Sequence, residues 1–260
     1  MSGFGTGGVH KTTDRAIEVL DFVRRSNGVV FDDVVQEFDM SSSTAYTHLN
    51  TLRRQGLLVR ENGRYWIGLR FREFSVSART RKPSYQIVTE RMREITDDTN
   101  IEVEFLVEEA GRVNLLYHSK GVRHERVRLF LHNTAAGKAI LAELPHERVL
   151  EILDRWGLPR QTPNTITDRE VLFDRLEVVA ERGYAYNDRE CFEGYHGVGA
   201  VVRGIDGSIL GALTVGGPVY RVPEERLRNE MVDRLLESVD DIEDTIESQR
   251  ATITAEMASR

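Results

Sequence analysis

The residues best placed to do chemistry lie between Ser41 and Gln55. Ala45, Leu49 and Leu52 recur at i, i+4 and i+7, the spacing of a helix face that packs inward. The opposite face then carries Ser43, Thr44, Tyr46, Thr47, Asn50 and Arg54, and the segment holds no Asp or Glu. Hydroxyls, an amide and a guanidinium on an acid-free face suit a polyanion. Hydroxyls beside the positive end of a helix dipole bond phosphate, and longer polar side chains reach base edges in a groove. Ser43 and Thr44 are therefore expected at phosphate, and Tyr46 and Thr47 at base edges. A polar face can also do no more than meet solvent, and a Ser/Thr-rich helix start can be only a cap, so the surrounding elements decide.

Those elements agree with one another. Thr12-Thr13-Asp14 reads as the N-cap cluster of a first helix, with Ile17, Leu20, Phe22 and Val23 at helical spacing and Ser26-Asn27-Gly28 as its stop. Val29-Val30-Phe31 leads to a second helix from Asp32, with Val34, Val35 and Phe38 facing inward. Asp39-Met40-Ser41 turns the chain, Ser41 or Ser42 caps the third helix, and Gly56 ends it. Apolar runs at 57–59 and 65–69 then flank Asn62-Gly63, the strongest short signal for a two-residue hairpin. Three short helices followed by a hairpin is the order of a winged helix-turn-helix. It is assigned to residues 11–70, after a flexible arm at 1–10. Arg60 and Arg64, on the two arms of the hairpin, are placed to straddle a phosphate or enter a minor groove.

Residues 71–82 read as a linking helix, closed by Pro83, which disfavours helix at Lys82. The rest, 83–260, mixes helices (84–99, 134–144, 146–156, 168–182) with strands (101–107, 112–118, 183–186, 198–205, 209–216). Glu109-Ala110-Gly111 and Asp206-Gly207 turn two hairpins. A final helix from about 223 to 249 is striped by Leu227, Met231, Leu235, Val239, Ile242 and Ile246. Its stripe suits a coiled coil or packing on the sheet, and the second is expected. The fold class is α+β: a winged helix-turn-helix, a linking helix and a mixed C-terminal domain.

Composition bounds the partners. A chain of 260 residues with 40% apolar content suits two soluble domains, and no apolar run approaches the roughly 18 residues a membrane span needs. The single cysteine, Cys191, makes no internal disulfide and is too few for a cysteine-based metal site, which fits a reducing cytoplasm. The net charge of −7 is uneven: nine Lys/Arg and eight Asp/Glu fall between His10 and Arg70, leaving −8 for the rest. A near-neutral segment binds a polyanion if its basic groups share one face. Four lysines against 31 arginines hint at a salt-rich cytoplasm or a GC-rich genome.

With these residues in view, the sequence resembles the IclR family of prokaryotic transcriptional regulators. The likeness runs through Ser43-Thr44-Ala45-Tyr46-Thr47-His48-Leu49-Asn50-Thr51-Leu52 and Gly63-Arg64-Tyr65-Trp66-Ile67-Gly68. It resumes with Leu131-His132-Asn133-Thr134-Ala135-Ala136-Gly137-Lys138-Ala139-Ile140-Leu141-Ala142, then Arg182-Gly183-Tyr184-Ala185 and Leu210-Gly211-Ala212-Leu213-Thr214-Val215-Gly216-Gly217-Pro218. The resemblance implies a GAF-like α/β effector domain holding a small organic ligand, often a carboxylate or aromatic acid. It also implies binding to a double-stranded DNA operator as a homodimer or dimer of dimers, in a prokaryotic cytoplasm in association with the nucleoid. Matched position by position, the effector pocket would involve Leu129, Ala135, Ala136, Asn187, Tyr195, Gly197, Thr214 and Gly216. Some members carry an acidic residue where Asn187 stands, a cysteine at Gly197 and a serine at Gly216. This pocket is therefore expected to be roomier and less polar, and the ligand class is not carried across. The segment from Thr134 to Lys138 reads equally as an anion cradle of backbone N–H groups or as a plain helix cap.

Other residues attract duller readings. His118, His124, His132, His146 and His196 show no metal-ligand spacing, so neither metal nor cofactor is expected. Cys191, beside Arg189 and Glu190, reads as a redox-sensing thiol activated by the arginine or as an uninvolved one, and the second is expected. Glu102 and Glu104 share one face of a strand and, with Glu108 and Glu109, read either as the mimic of a carboxylate pair or as a solvated sheet face, and the second is expected. No nucleophile–base pair, metal cluster or phosphate loop points to an enzyme. A catalytic C-terminal domain and a ligand-free, purely oligomerising one stand as alternatives to a sensor.

Overall fold

A computed structural model describes Gly8 and residues 10–99, 101–119 and 129–258. His124 and most of the N-terminal arm lie outside the described residues. The chain divides into two compact units, Met1–Arg81 and Lys82–Arg260.

The first unit holds α1 (Lys11–Arg25), α2 (Phe31–Glu37), α3 (Ser42–Arg54), the hairpin β1 (Leu58–Glu61) and β2 (Arg64–Ile67), and α4 (Phe71–Thr80). Val19, Leu20, Val23, Val34, Ala45, Leu49, Leu52, Leu58 and Tyr65 form its core. Two expectations are corrected in α1. The helix begins at Lys11 with His10 as N-cap and no side-chain cap bond, so Thr12, Thr13 and Asp14 sit in the first turn. Ile17 is 56% exposed and Val19 takes the core position. At 100° per residue, position 17 lies roughly a third of a turn from the face centred on 19, 20 and 23. The second helix starts at Phe31 instead of Asp32, because Asp33 accepts the Val30 N–H at 2.9 Å. The hairpin turns through Asn62 and Gly63 at φ 49° and 81°, left-handed positions that an Asn-Gly pair tolerates. Val29 joins it as a bridge, exchanging backbone bonds of 3.1 and 2.7 Å with Tyr65.

The second unit is built on a five-stranded sheet in the order β4-β3-β7-β6-β5. Its strands, all paired antiparallel, are β3 (Glu102–Glu109), β4 (Arg112–His118), β5 (Ala185–Asp188), β6 (Tyr195–Arg203) and β7 (Ile209–Pro218). On one face α5 (Pro83–Thr99) and α10 (Glu230–Ser248) pack against Val103, Phe105, Val198, Leu213 and Val215. The other face is covered by α6 (Ala135–Glu143), α7 (His146–Trp156) and α8 (Arg169–Arg182), around Leu106, Ala136, Ile140, Leu172 and Ala212. β6 starts three residues earlier than its apolar run suggests, and β7 extends to Pro218. The terminal helix is broken at Asn229 (φ −106°, ψ −85°) into α9 (Glu224–Arg228) and α10, and α11 (Arg250–Ala258) follows. Its apolar stripe is buried from Leu227 to Ile246, as packing on the sheet requires.

Candidate nucleic-acid interface and ligand face

In α3 the pattern resolves as the spacing dictates. Ala45, Leu49 and Leu52 are buried, together with His48, while Ser43, Thr44, Tyr46, Thr47, Asn50 and Arg54 are exposed. Tyr46 projects furthest among the apolar-bodied side chains, at 60% exposure. Ser41 caps the helix, accepting the Thr44 N–H at 3.2 Å, and its hydroxyl also lies 2.9 Å from Ser43 Oγ and 2.8 Å from Thr44 Oγ1. Thr47 donates its hydroxyl to the Ser43 carbonyl at 2.9 Å, so outward it offers a lone pair and a methyl group. The far end is closed by Arg70, whose Nη1 donates to the Gln55 carbonyl at 2.5 Å, a cation at the negative end of the helix dipole.

One part of this surface escapes a reading of the third helix alone. A cleft of about 520 Å³ opens between the start of α1 and the start of α3, lined by His10, Thr12, Thr13, Ser43, Thr44 and Thr47 among others, and by no carboxylate. Thr12 and Thr13 signal it in sequence, but as hydroxyls preceding a helix they read first as caps.

The wing arginines are less free than their positions suggest. Arg60 lies over the ring of Tyr65, its partner across the hairpin, 5.4 Å from the centroid. Arg64 donates from Nη2 to the Gly28 carbonyl at 2.8 Å. Both remain exposed, yet Arg64 spends part of its fork in fastening the wing to the turn after α1.

In the second unit, cross-strand register places Glu102, Gly216, Gly197 and Asn187 in one row of the sheet. His118, Glu104, Thr214, Gly199 and Ala185 form the next. This is the face beneath α6. A Cβ on Gly199 would stand 2.8 Å from the Ala136 nitrogen and 2.9 Å from Thr214 Oγ1, so the missing side chain lets the start of α6 rest on the sheet. A Cβ on Gly216 would stand 2.8 Å from Tyr195 Oη. Ala135, Ala136, Tyr195, Gly197, Thr214 and Gly216 are thus gathered at this face, whereas Leu129 packs half-buried beside the α6–α8 cluster. Asn187 is spent on its own loop: Nδ2 donates to Cys191 Sγ at 3.0 Å and Oδ1 accepts from the Glu190 N–H at 2.9 Å.

One expectation fails here. Glu102 and Glu104 are not on a solvated face; they are 1% and 6% exposed. These carboxylates share the face with Tyr195, Thr214 and His118, whose Nε2 stands 3.4 Å from Glu104 Oε1. Burial first, and the charge of Glu102 second, lift Glu104 to about 7. Burial likewise pushes the Cys191 thiol up to about 11, the state of an inert thiol.

The 134–138 segment is a cap: Thr134 Oγ1 accepts the Gly137 N–H at 3.1 Å. Lys138 is buried behind it, paired with Glu190. His132 is buried and donates through Nε2 to the Pro159 carbonyl at 3.3 Å; burial above all drives it down to about 4, keeping it neutral. Among the described residues no three His, Cys, Asp or Glu side chains converge as a metal ion requires, and no helix is long and apolar enough to cross a membrane.

Two family profiles match the chain: "IclR helix-turn-helix domain" over residues 12–62 and "Bacterial transcriptional regulator IclR C-terminal" over 80–244. The "Probable HTH-type transcriptional regulator ArcR" of Halobacterium salinarum is 28% identical over 243 residues, 90% of this chain and 92% of that protein. The crystal structure of the Thermotoga maritima IclR superposes with a TM-score of 0.66 at 26% identity, covering 91% of this chain and 99% of that one. A homologue from Microbacterium hydrocarbonoxydans, solved in complex with 4-hydroxybenzoate, shares the fold with a TM-score of 0.72 at 22% identity, over 91% of this chain and 99% of its own.

Proposed function

The chain belongs to the IclR family of DNA-binding transcriptional regulators, and from that premise we propose that α3 reads an operator while a small organic effector beneath α6 tunes the reading. The observation that carries this is the exposed, acid-free face of α3, backed by a buried aliphatic face that fixes its orientation. Ser43 and Thr44 contact phosphate beside the helix start. Tyr46, Thr47 and Asn50 meet base edges, and Arg54 and Arg60 contact the backbone. Arg64 positions the wing. One such helix spans only a few base pairs, so the chain acts as a homodimer or dimer of dimers on paired half-sites, in the cytoplasm and at the nucleoid.

Effector binding shifts the spacing of the two recognition helices. A differential affinity on the order of 1–3 kcal/mol changes operator occupancy roughly 5- to 150-fold. The 4-hydroxybenzoate bound by the Microbacterium homologue supports a small organic molecule as the class of ligand.

Fluorescence anisotropy of the full chain on the DNA upstream of its own gene tests the reading. Binding should weaken linearly on a log–log plot against salt as phosphate counterions are released. Absent binding, or binding indifferent to salt, overturns it.

A further inference from the structure

The cleft between the starts of α1 and α3 gathers donors that the reading of bases leaves unused. At about 100° per residue, Thr44, His48 and Thr51 form a stripe of α3 at i, i+4 and i+7. It runs along the flank between the buried Ala45, Leu49 and Leu52 and the outward Tyr46, Asn50 and Arg54, with Thr47 at its border. All three line the cleft, as does Thr12 on α1. His48 is 8% exposed and faces the cleft, and among the described residues it makes no hydrogen bond. The hydroxyls of Thr12 and Thr51 are likewise unengaged among the described residues, whereas Thr47 has spent its own on Ser43. The start of α1 adds backbone donors. His10 caps it without a side-chain bond, and its carbonyl takes the N–H groups of both Thr13 and Asp14, each at 3.0 Å. Those of Lys11 and Thr12 are left without a partner among the described residues.

From this convergence we propose that the cleft seats a phosphodiester of the DNA backbone, with Thr12, His48, Thr51 and the first N–H groups of α1 donating to its oxygens. The inference rests on the operator reading above and adds to it a backbone clamp on α1 that α3 alone does not supply. The dimensions agree. A helix about 10–12 Å across nearly fills a major groove about 12 Å wide, so with Tyr46 and Asn50 toward the bases its flank meets a wall of phosphates. A volume of about 520 Å³ is that of a small-ligand site, here for a sugar–phosphate unit. The charge agrees as well. Two helix starts supply positive partial charge, no carboxylate lines the cleft, and Asp14, in the first turn of α1, is exposed and outside the lining. A cation would meet the same dipole ends with only hydroxyls and a ring nitrogen to balance it.

A phosphate carries no sequence information, so this contact has a signature unlike that of Tyr46 or Asn50. Its loss lowers affinity for every duplex alike, and the loss is coupled to one backbone position instead of one base pair.

Fluorescence anisotropy of the full chain tests the proposal on the duplex upstream of its own gene and on a duplex of random sequence. Thr12→Val, Thr51→Val and His48→Leu, each checked for folding by its melting transition, should weaken binding to both duplexes equally. Each loss should be roughly tenfold, the scale of a lost bond to a charged group. His48→Gln, which keeps a donor, should lose less. Methylphosphonate, placed at one backbone position at a time, removes the charge that the cleft holds. At one position per recognition helix it should weaken the wild type roughly tenfold and leave Thr51→Val and His48→Leu little changed, the non-additivity of groups in contact. Unchanged affinity in all three variants, losses confined to the upstream duplex, or no backbone position that couples to them overturns the proposal. A melting temperature raised by inorganic phosphate or thymidine monophosphate in the wild type but not in His48→Leu, with duplex affinities unchanged, assigns the cleft to a free phosphate compound and overturns it too. Equal wild-type binding to both duplexes, weakened in the variants, upholds the cleft and sinks the operator reading. Specific upstream binding that survives all three substitutions does the reverse, and binding to neither duplex sinks both.

Discussion

The hydroxyl of Thr47 is committed to the carbonyl of Ser43, one turn back along the same helix, at 2.9 Å. A side chain that has spent its donor can read a base only through its lone pair or its methyl group, and the methyl complements the C5 methyl of thymine. Thr47→Ala should therefore weaken operator binding by about 1–3 kcal/mol. Thr47→Val, which keeps the shape and loses the hydroxyl, should weaken it less. Anisotropy on operator and random duplexes separates the cases: equal losses on both would place Thr47 at the backbone.

The pH dependence of stability turns on two buried groups with opposite signs. Glu104 has its folded value raised to about 7, so its stabilising contribution is complete below the ordinary carboxylate range and is lost as pH rises toward 7. His132 has its value lowered to about 4, so its contribution is complete above about 6.5, the ordinary histidine value, and is lost as pH falls toward 4. Between about pH 4.5 and 6.5 the two slopes, each up to roughly 1.4 kcal/mol per pH unit, oppose one another. Denaturant melts across this window should show Glu104→Gln gaining stability as pH rises and His132→Asn losing it. Parallel profiles in both variants would contradict the assignment.

The buried pair between Lys138 and Glu190 ties the start of α6 to the loop after β5. Burial above all, with the charge of Arg175 behind it, lowers the lysine's affinity for its proton, and Glu190 acts against that. Removing one partner strands the other charge: Lys138→Met should cost roughly 3–5 kcal/mol, and adding Glu190→Leu should recover much of it. Equal stability of the single and double variants by urea melts would show that the pair is not coupled.

How much of this was legible in the sequence differs by element. The third helix reads cleanly because one side of it packs and the other does not, and its period of Ala45, Leu49 and Leu52 survives translation into three dimensions. The hairpin is equally plain, since Asn62-Gly63 adopts a backbone few other pairs accept. Glu102 and Glu104 misled because acids alternating with apolar residues look the same whether their side of the strand meets water or a helix; only the covering α6 distinguishes the two. The break at Asn229 was hidden because Leu227 and Met231 keep their helical spacing across it. Ile17 shows the converse: a helical interval from Leu20 does not say which of several overlapping stripes faces inward.

The hairpin of the first unit has a mechanical side. Two strands alone are marginal in water, but Tyr65 is stitched to Val29 by both backbone bonds and Arg64 is pinned to Gly28. The fin is therefore a fixture of the turn between the first two helices, not a flap, and its tilt is set by the bonds that Gly28 and Val29 make to it. Damage at that seam would loosen the grip on a duplex while leaving every contacting side chain intact.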